Sequence, residues 1–132
     1  MEDINDIEAL SNFSGSNLTN ANLKGAIMGK ANFQKTMLAR ANLQNSVLSN
    51  SDFQEAILIE VNLQESILLD ANLQGANLQG ANFLGADLRK AEMLTIEQLS
   101  KVKTLYDAKL DPELMEQVKA KYPHLLQKPK EE

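Results

Sequence analysis

Glu55, Glu60, Glu65 and Asp70 fall five residues apart. Such an acidic series can hold a divalent cation, or divide acid and base roles, when its carboxylates converge. His124 is the sole histidine and follows Pro123 near the C-terminus, with no serine or carboxylate constellation around it. Ser46, Ser51 and Ser66 would be nucleophiles only beside a base. The chain has no cysteine, which excludes a disulfide scaffold, a thiolate metal site and thiol redox chemistry. Whether the acidic residues meet depends on the element that carries them.

That element has a period of five. Every fifth residue from Phe13 to Met93 is Phe, Leu or Met, at seventeen of seventeen positions. Two residues before each is a small side chain in sixteen cases, ten of them Ala, with Val61 the exception. The residue just before each large one is Asn or Asp in eleven cases, such as Asn22, Asp52 and Asn72. On an α-helix this spacing would scatter the large residues around the cylinder. On a flat strand it would send successive ones to opposite faces. The chain must therefore turn a corner in every repeat and wind about an axis, with the large residue and the small one inward. A narrow interior explains the small residue, because two large side chains per repeat would overpack it.

The stretches Ala71-Asn72-Leu73-Gln74-Gly75 and Ala76-Asn77-Leu78-Gln79-Gly80 resemble the pentapeptide-repeat family, whose pattern is A(N/D)LXX. The resemblance covers residues 11–95 and implies an all-β solenoid, a right-handed quadrilateral β-helix with four repeats per coil. Seventeen repeats then make a little over four coils, a rod of about 20 Å at the usual strand spacing. The chain supports a twenty-residue coil by itself: Phe13, Phe33 and Phe53 are spaced by twenty, as are Ile27, Val47 and Ile67, and Met37 and Ile57. With this coiling Glu55, Glu60, Glu65 and Asp70 occupy successive corners and diverge, so neither a catalytic pair nor a metal cluster is expected. No catalytic residue, metal or cofactor is assigned.

Gly or Asn closes the repeat at 15, 20, 25, 45, 50, 75, 80 and 85, where each suits the positive φ of a type II turn. Lys30, Lys35, Arg40, Glu55, Glu60, Glu65 and Asp70 do not favour it, so type I corners are expected there. An open coil exposes unpaired backbone and core at each end, and short helical caps are expected to cover both. Residues 1–10 carry Ile4, Ile7 and Leu10 at helical spacing. After residue 95 the five-residue frame stops, and Thr95-Ile96-Glu97-Gln98 reads as a capping box. A helix is expected through Ile96, Leu99, Val102 and Leu105, and a second from Asp111-Pro112-Glu113 until Pro123 stops it. Residues 96–126 form the C-terminal cap, and 127–132 a loose tail. This segment also resembles the tails of cyanobacterial pentapeptide-repeat proteins.

The formal net charge is −5. The N-terminal stretch is acidic where a signal peptide would be basic and then apolar, and no apolar run is long enough to span a bilayer. A cytoplasmic protein without membrane contact is expected. Residues 11–95 hold six Lys/Arg against seven Asp/Glu, interleaved. That mixture argues against nucleic-acid binding and against a DNA mimic of the kind that engages gyrase, the alternative the family offers. What is left for function is a set of apolar residues at a position that should face outward. Ile27, Val47, Ile67 and Leu69 lie on one side, with Met37, Ile57 and Ile59 opposite. These are expected to be substantially exposed and to contact a partner protein, a second copy of the chain, or the C-terminal helices. A non-enzymatic scaffold that binds another protein through a side face or a capped end is the reading.

Overall fold

The computed structural model describes residues 11–130. The expected N-terminal cap, residues 1–10, lies outside them. Parallel pairing recurs at a separation of twenty on four faces, taken in chain order. The first joins Asn12, Asn32, Asp52, Asn72 and Glu92, and the second Asn17, Met37, Ile57 and Asn77. The third joins Asn22, Asn42, Asn62 and Asn82, and the fourth Ile27, Val47, Ile67 and Asp87. Each pairing is a single-residue bridge rather than a strand of several residues. A corner every five residues leaves no room for more.

Hydrogen bonding within one repeat follows from this geometry. Around Leu43, Asn42 N–H donates down to Ala21 O, while Leu43 and Asn45 N–H donate up to Asn62 O and Gln64 O. Ser46 N–H closes the corner on Leu43 O. Four of the five N–H groups are thus used by backbone. Gln44 N–H is the fifth, and it donates to the side-chain Oδ1 of Asn42 at 3.0 Å. The same Asx brace occurs at all eleven Asn or Asp residues of this position in the repeat, for example Asn12, Asn62 and Asn82. This explains the Asn in the repeat, since an acceptor two residues back satisfies a donor the ladder cannot reach.

The core is the stack of inward Leu and Phe side chains. Leu38, Leu43, Leu48, Leu58, Leu63 and Leu68 are fully buried, as are Phe33 and Phe53. Phe33 and Phe53 stack with centroids 4.7 Å apart, and Phe13 continues the column at 5.1 Å. Small buried hydroxyls return to the backbone: Ser46 Oγ donates to Leu43 O at 2.6 Å and Thr36 Oγ1 to Phe13 O at 2.7 Å.

The expectation of mixed corners is wrong. Lys30, Lys35, Arg40, Glu55, Glu60, Glu65 and Asp70 all adopt φ between 55° and 63°, as the Gly and Asn corners do. Positive φ at the third position of an i→i+3 turn is the type II signature. The left-handed conformation costs a non-glycine residue about 1–2 kcal/mol. Ladder bonds on both sides of the corner fix its shape, and misaligning several of them would cost more. Geometry therefore overrides side-chain preference.

The helix expected through Leu105 is also shorter than its apolar spacing suggested. α1 spans only Ile96–Leu99, with the Thr95–Gln98 capping box in place. It stands where the second face of a fifth coil would be. Gln98 Nε2 donates to Leu73 O at 2.8 Å and to Ala76 O at 3.0 Å, the latter being the carbonyl that a further strand would otherwise take. The coil then resumes with a two-residue insertion, as Asn82 pairs with Thr104 and Asp87 with Lys109. Thr104 even supplies the brace, accepting from Tyr106 N–H at 3.0 Å. α2 (Pro112–Lys121) and a 3₁₀ turn (Pro123–Leu126) follow. Ile96, Leu99, Leu105, Val118 and Leu125 join the buried cluster of the rod.

Leu63 sits mid-rod, inward and fully buried. Leu63→Ala should destabilise the protein by about 2–5 kcal/mol, the sum of transfer and cavity contributions. Denaturant melts measure this, and a loss under about 1 kcal/mol would contradict the packing described.

Candidate interaction surface

The coil separates the groups that looked chemical. Glu55, Glu60 and Glu65 lie on three different edges, each folded over the glycine one coil on: Gly75, Gly80 and Gly85. Glu55 is 3.9 Å from Lys35, and Glu60 is 3.9 Å from Arg40. Both pairs are largely exposed and are worth little to stability. Ser46, Ser51 and Ser66 are buried with their hydroxyls donated to backbone carbonyls, none near a base. His124 is exposed on the 3₁₀ turn, edge-on to Tyr122. Among the described residues no three His, Cys, Asp or Glu gather as metal ligands.

The outward apolar residues divide in exposure. Ile27, Ile67 and Met37 are 54%, 38% and 37% exposed. Val47, Ile57, Ile59 and Leu69 are only half-buried, not substantially exposed as expected. The residues above and below in each column cover their flanks, an effect strongest in the middle coils. Ile27, Val47 and Ile67 form the fourth face with Leu69 beside them, and Met37 and Ile57 the second with Ile59 beside them.

These columns occupy the bracing position and have no oxygen to offer. Ala39, Ser49, Ile59 and Leu69 N–H find no acceptor among the described residues. On the first and third faces Asn or Asp fills the same position in coils one to four, and every such residue braces. The unbraced amides were not picked out from the sequence, though the signal was there: an apolar residue wherever the pattern asks for Asn or Asp.

Above its apolar column the fourth face carries a charged clamp that the sequence also did not single out. Asp87 is buried above Ile67. It braces Arg89 N–H at 3.1 Å and grips the guanidinium through Nε at 2.9 Å and Nη2 at 2.7 Å. The Arg89 hydrogen bonds hold the Asp87 carboxyl below its ordinary value, against the opposing effect of burial.

Residues 11–34, 38–68 and 66–94 match the pentapeptide repeat model in eight copies. More than half of the chain is covered, and the chain belongs to the pentapeptide repeat family. Its members fold as right-handed quadrilateral β-helices, in keeping with the twenty-residue ladder described above. Among solved structures it is similar to a pentapeptide repeat protein from Nostoc PCC 7120, at 25% identity and a TM-score of 0.58 over 80% of this chain and 91% of that one. HetL, a pentapeptide repeat protein of the same organism involved in heterocyst differentiation regulation, is 33% identical, with a TM-score of 0.42 over 63% of this chain and 39% of its own. QnrB1, a plasmid-mediated fluoroquinolone resistance protein, is 20% identical, with a TM-score of 0.36 over 82% of this chain and 63% of its own. No curated protein matches the chain. Among the described residues no helix is long and apolar enough to cross a membrane.

A carboxyl with a lowered folded-state value contributes stability above its unfolded value, and that contribution is lost as pH falls through the folded value. The stability difference between the natural protein and Asp87→Asn should therefore be constant from pH 7 to about 5 and close below about pH 4. Thermal melts across that range measure it. A gap unchanged down to pH 2 would show that the clamp draws nothing from the Asp87 charge.

Proposed function

We propose that this protein is a non-enzymatic scaffold that binds another protein through a side face of the rod. The carrying observation is the missing brace. In the middle coils of the second and fourth faces, Met37, Val47, Ile57 and Ile67 replace a side chain that would satisfy a backbone donor. A net hydrogen bond is worth about 0.5–1.5 kcal/mol. Forgoing it in exchange for a half-exposed apolar ladder serves contact with something outside the rod. β-branched stacking along the ladder recovers part of the stability, but it does not account for Met37. The interaction surface is thus Ile27, Val47, Ile67 and Leu69 on one face, and Met37, Ile57 and Ile59 on the other.

Residues 96–126 cap the end of the core in this reading, supported by the burial of Ile96, Leu99, Val118 and Leu125. Two of its residues, Thr104 and Lys109, still belong to the ladder. The setting proposed is the cytoplasm of a cyanobacterium; the likeness to the Nostoc protein supports the source. A gyrase-directed DNA mimic needs a dense surface of one sign. Here acids alternate with bases along the same edges, as at Lys35–Glu55 and Arg40–Glu60, and the scaffold reading is preferred.

Ile57→Asn restores the family pattern in the centre of the second face. Its stability should stay within about 1 kcal/mol of the natural protein, the gained brace offsetting the lost apolar contact. Pull-downs from the source cell with the two proteins as bait should differ by the loss of the partner held by that face. A drop well beyond 1 kcal/mol with an unchanged set of captured proteins would show that the column exists for stability.

A further inference from the structure

We infer that the second face is self-complementary and pairs two copies of this chain as antiparallel rods; this rests on the side-face reading above and names its partner. The face has an apolar centre and two charged rims. Met37 and Ala39 lie in the second coil, and Ile57 and Ile59 directly above them in the third. One rim carries Lys35 below Glu55, and the other Arg40 below Glu60. Both rims are therefore basic in the second coil and acidic in the third.

Only one face-to-face arrangement suits that pattern. A two-fold axis along the rod would set Lys35 against Arg40 of the other copy, and Glu55 against Glu60, like charge on like. A two-fold axis across the rod, between the second and third coils, reverses one copy. Lys35 then meets Glu55 of the second copy, and Arg40 meets its Glu60, on both rims at once. The apolar centre matches under the same operation: Met37 lies on Ile57, and the small Ala39 faces the larger Ile59. Each intrachain ion pair becomes part of a four-charge alternating cluster. An isologous contact of this kind closes at two copies. The fourth face, with Lys30 and Asp70 on one rim and Asn45 and Glu65 on the other, does not carry opposed charges on both sides.

A rod face about four strands high is about 20 Å long, so the area it can cover is well below what permanent dimers bury, and the pairing depends on concentration. Unmatched like charge across an interface opposes association, and electrostatic matching restores it.

The test uses the full chain with two double variants, Lys35→Glu/Arg40→Glu and Glu55→Lys/Glu60→Lys. Sedimentation equilibrium should show the natural protein passing from monomer to dimer with rising concentration, less readily in high salt. Each variant alone should pair at least about tenfold more weakly. An equimolar mixture should form the one-to-one dimer at least as readily as the natural protein does. Recovery in the mixture also shows that both variants are folded. Ile67→Asn, on the opposite face, should leave pairing intact. The inference is overturned if the natural protein stays monomeric to about 1 mM, if either variant pairs with itself as tightly as the natural protein does, or if the mixture does not associate. It is overturned equally if Ile67→Asn abolishes pairing. A strictly monomeric protein whose pull-down partner is still lost in Ile57→Asn would sink self-pairing and leave the side-face reading standing.

Discussion

A coil that turns a corner every five residues leaves one backbone N–H per repeat with nothing in the backbone to bond. Three of the other four are held by the neighbouring coils and one by the corner itself, as around Leu43. The remaining donor is the one to which the side chain at the outward position can reach. Asn and Asp reach it, and do so at every repeat that has one. The choice at that position therefore sets two properties together: how well the backbone is satisfied, and whether the face outside is polar or apolar. The four faces follow from it. Asn and Asp through the first four coils make the first and third faces polar and braced, while Met, Val and Ile make the middle of the second and fourth apolar and unbraced.

Much of this architecture is legible in the sequence because the coil repeats at a fixed interval. Phe13, Phe33 and Phe53 stand twenty apart, and their rings stack. Lys35 and Arg40 stand twenty before Glu55 and Glu60, and the pairs meet at the rims. The corners were less legible, because turn preference is a local property while the ladder is not. Lys30 and Glu60 would choose negative φ in isolation, and the bonds on either side of them do not allow it. The C-terminal segment misled for a related reason. Ile96, Leu99, Val102 and Leu105 have helical spacing, but only the first two lie in α1. Thr104 and Leu105 return to the ladder because Asn82 and Phe83 offer them an edge to pair with.

Coiling also decides which chemistry is available. Residues five apart in sequence sit on different edges, and residues twenty apart sit on the same one. Glu55, Glu60 and Glu65 consequently point away from one another, while Lys35 and Glu55 become neighbours. A rod of this kind gathers properties along columns and does not gather functional groups into a pocket. Its natural capacity is a flat, patterned face, and the legible patterns are the apolar columns of the second and fourth faces with the charged rims beside the second. The exposed Ile27, Met37 and Ile67 and the missing braces behind them are two consequences of one substitution pattern.

Amide hydrogen exchange, resolved by residue with NMR, tests the central claim most directly. The donors following Asn42, Asp52 and Asn62, namely Gln44, Gln54 and Gln64 N–H, are braced. Those following Met37, Val47, Ile57 and Ile67, namely Ala39, Ser49, Ile59 and Leu69 N–H, are not. All seven lie in the same two coils, so global stability affects them equally and only local bonding separates them. The account predicts strong protection of the three glutamine amides and rapid exchange of the other four. Equal protection of both groups would mean that the Asn brace does not hold the fifth donor, and the apolar faces would then forgo nothing.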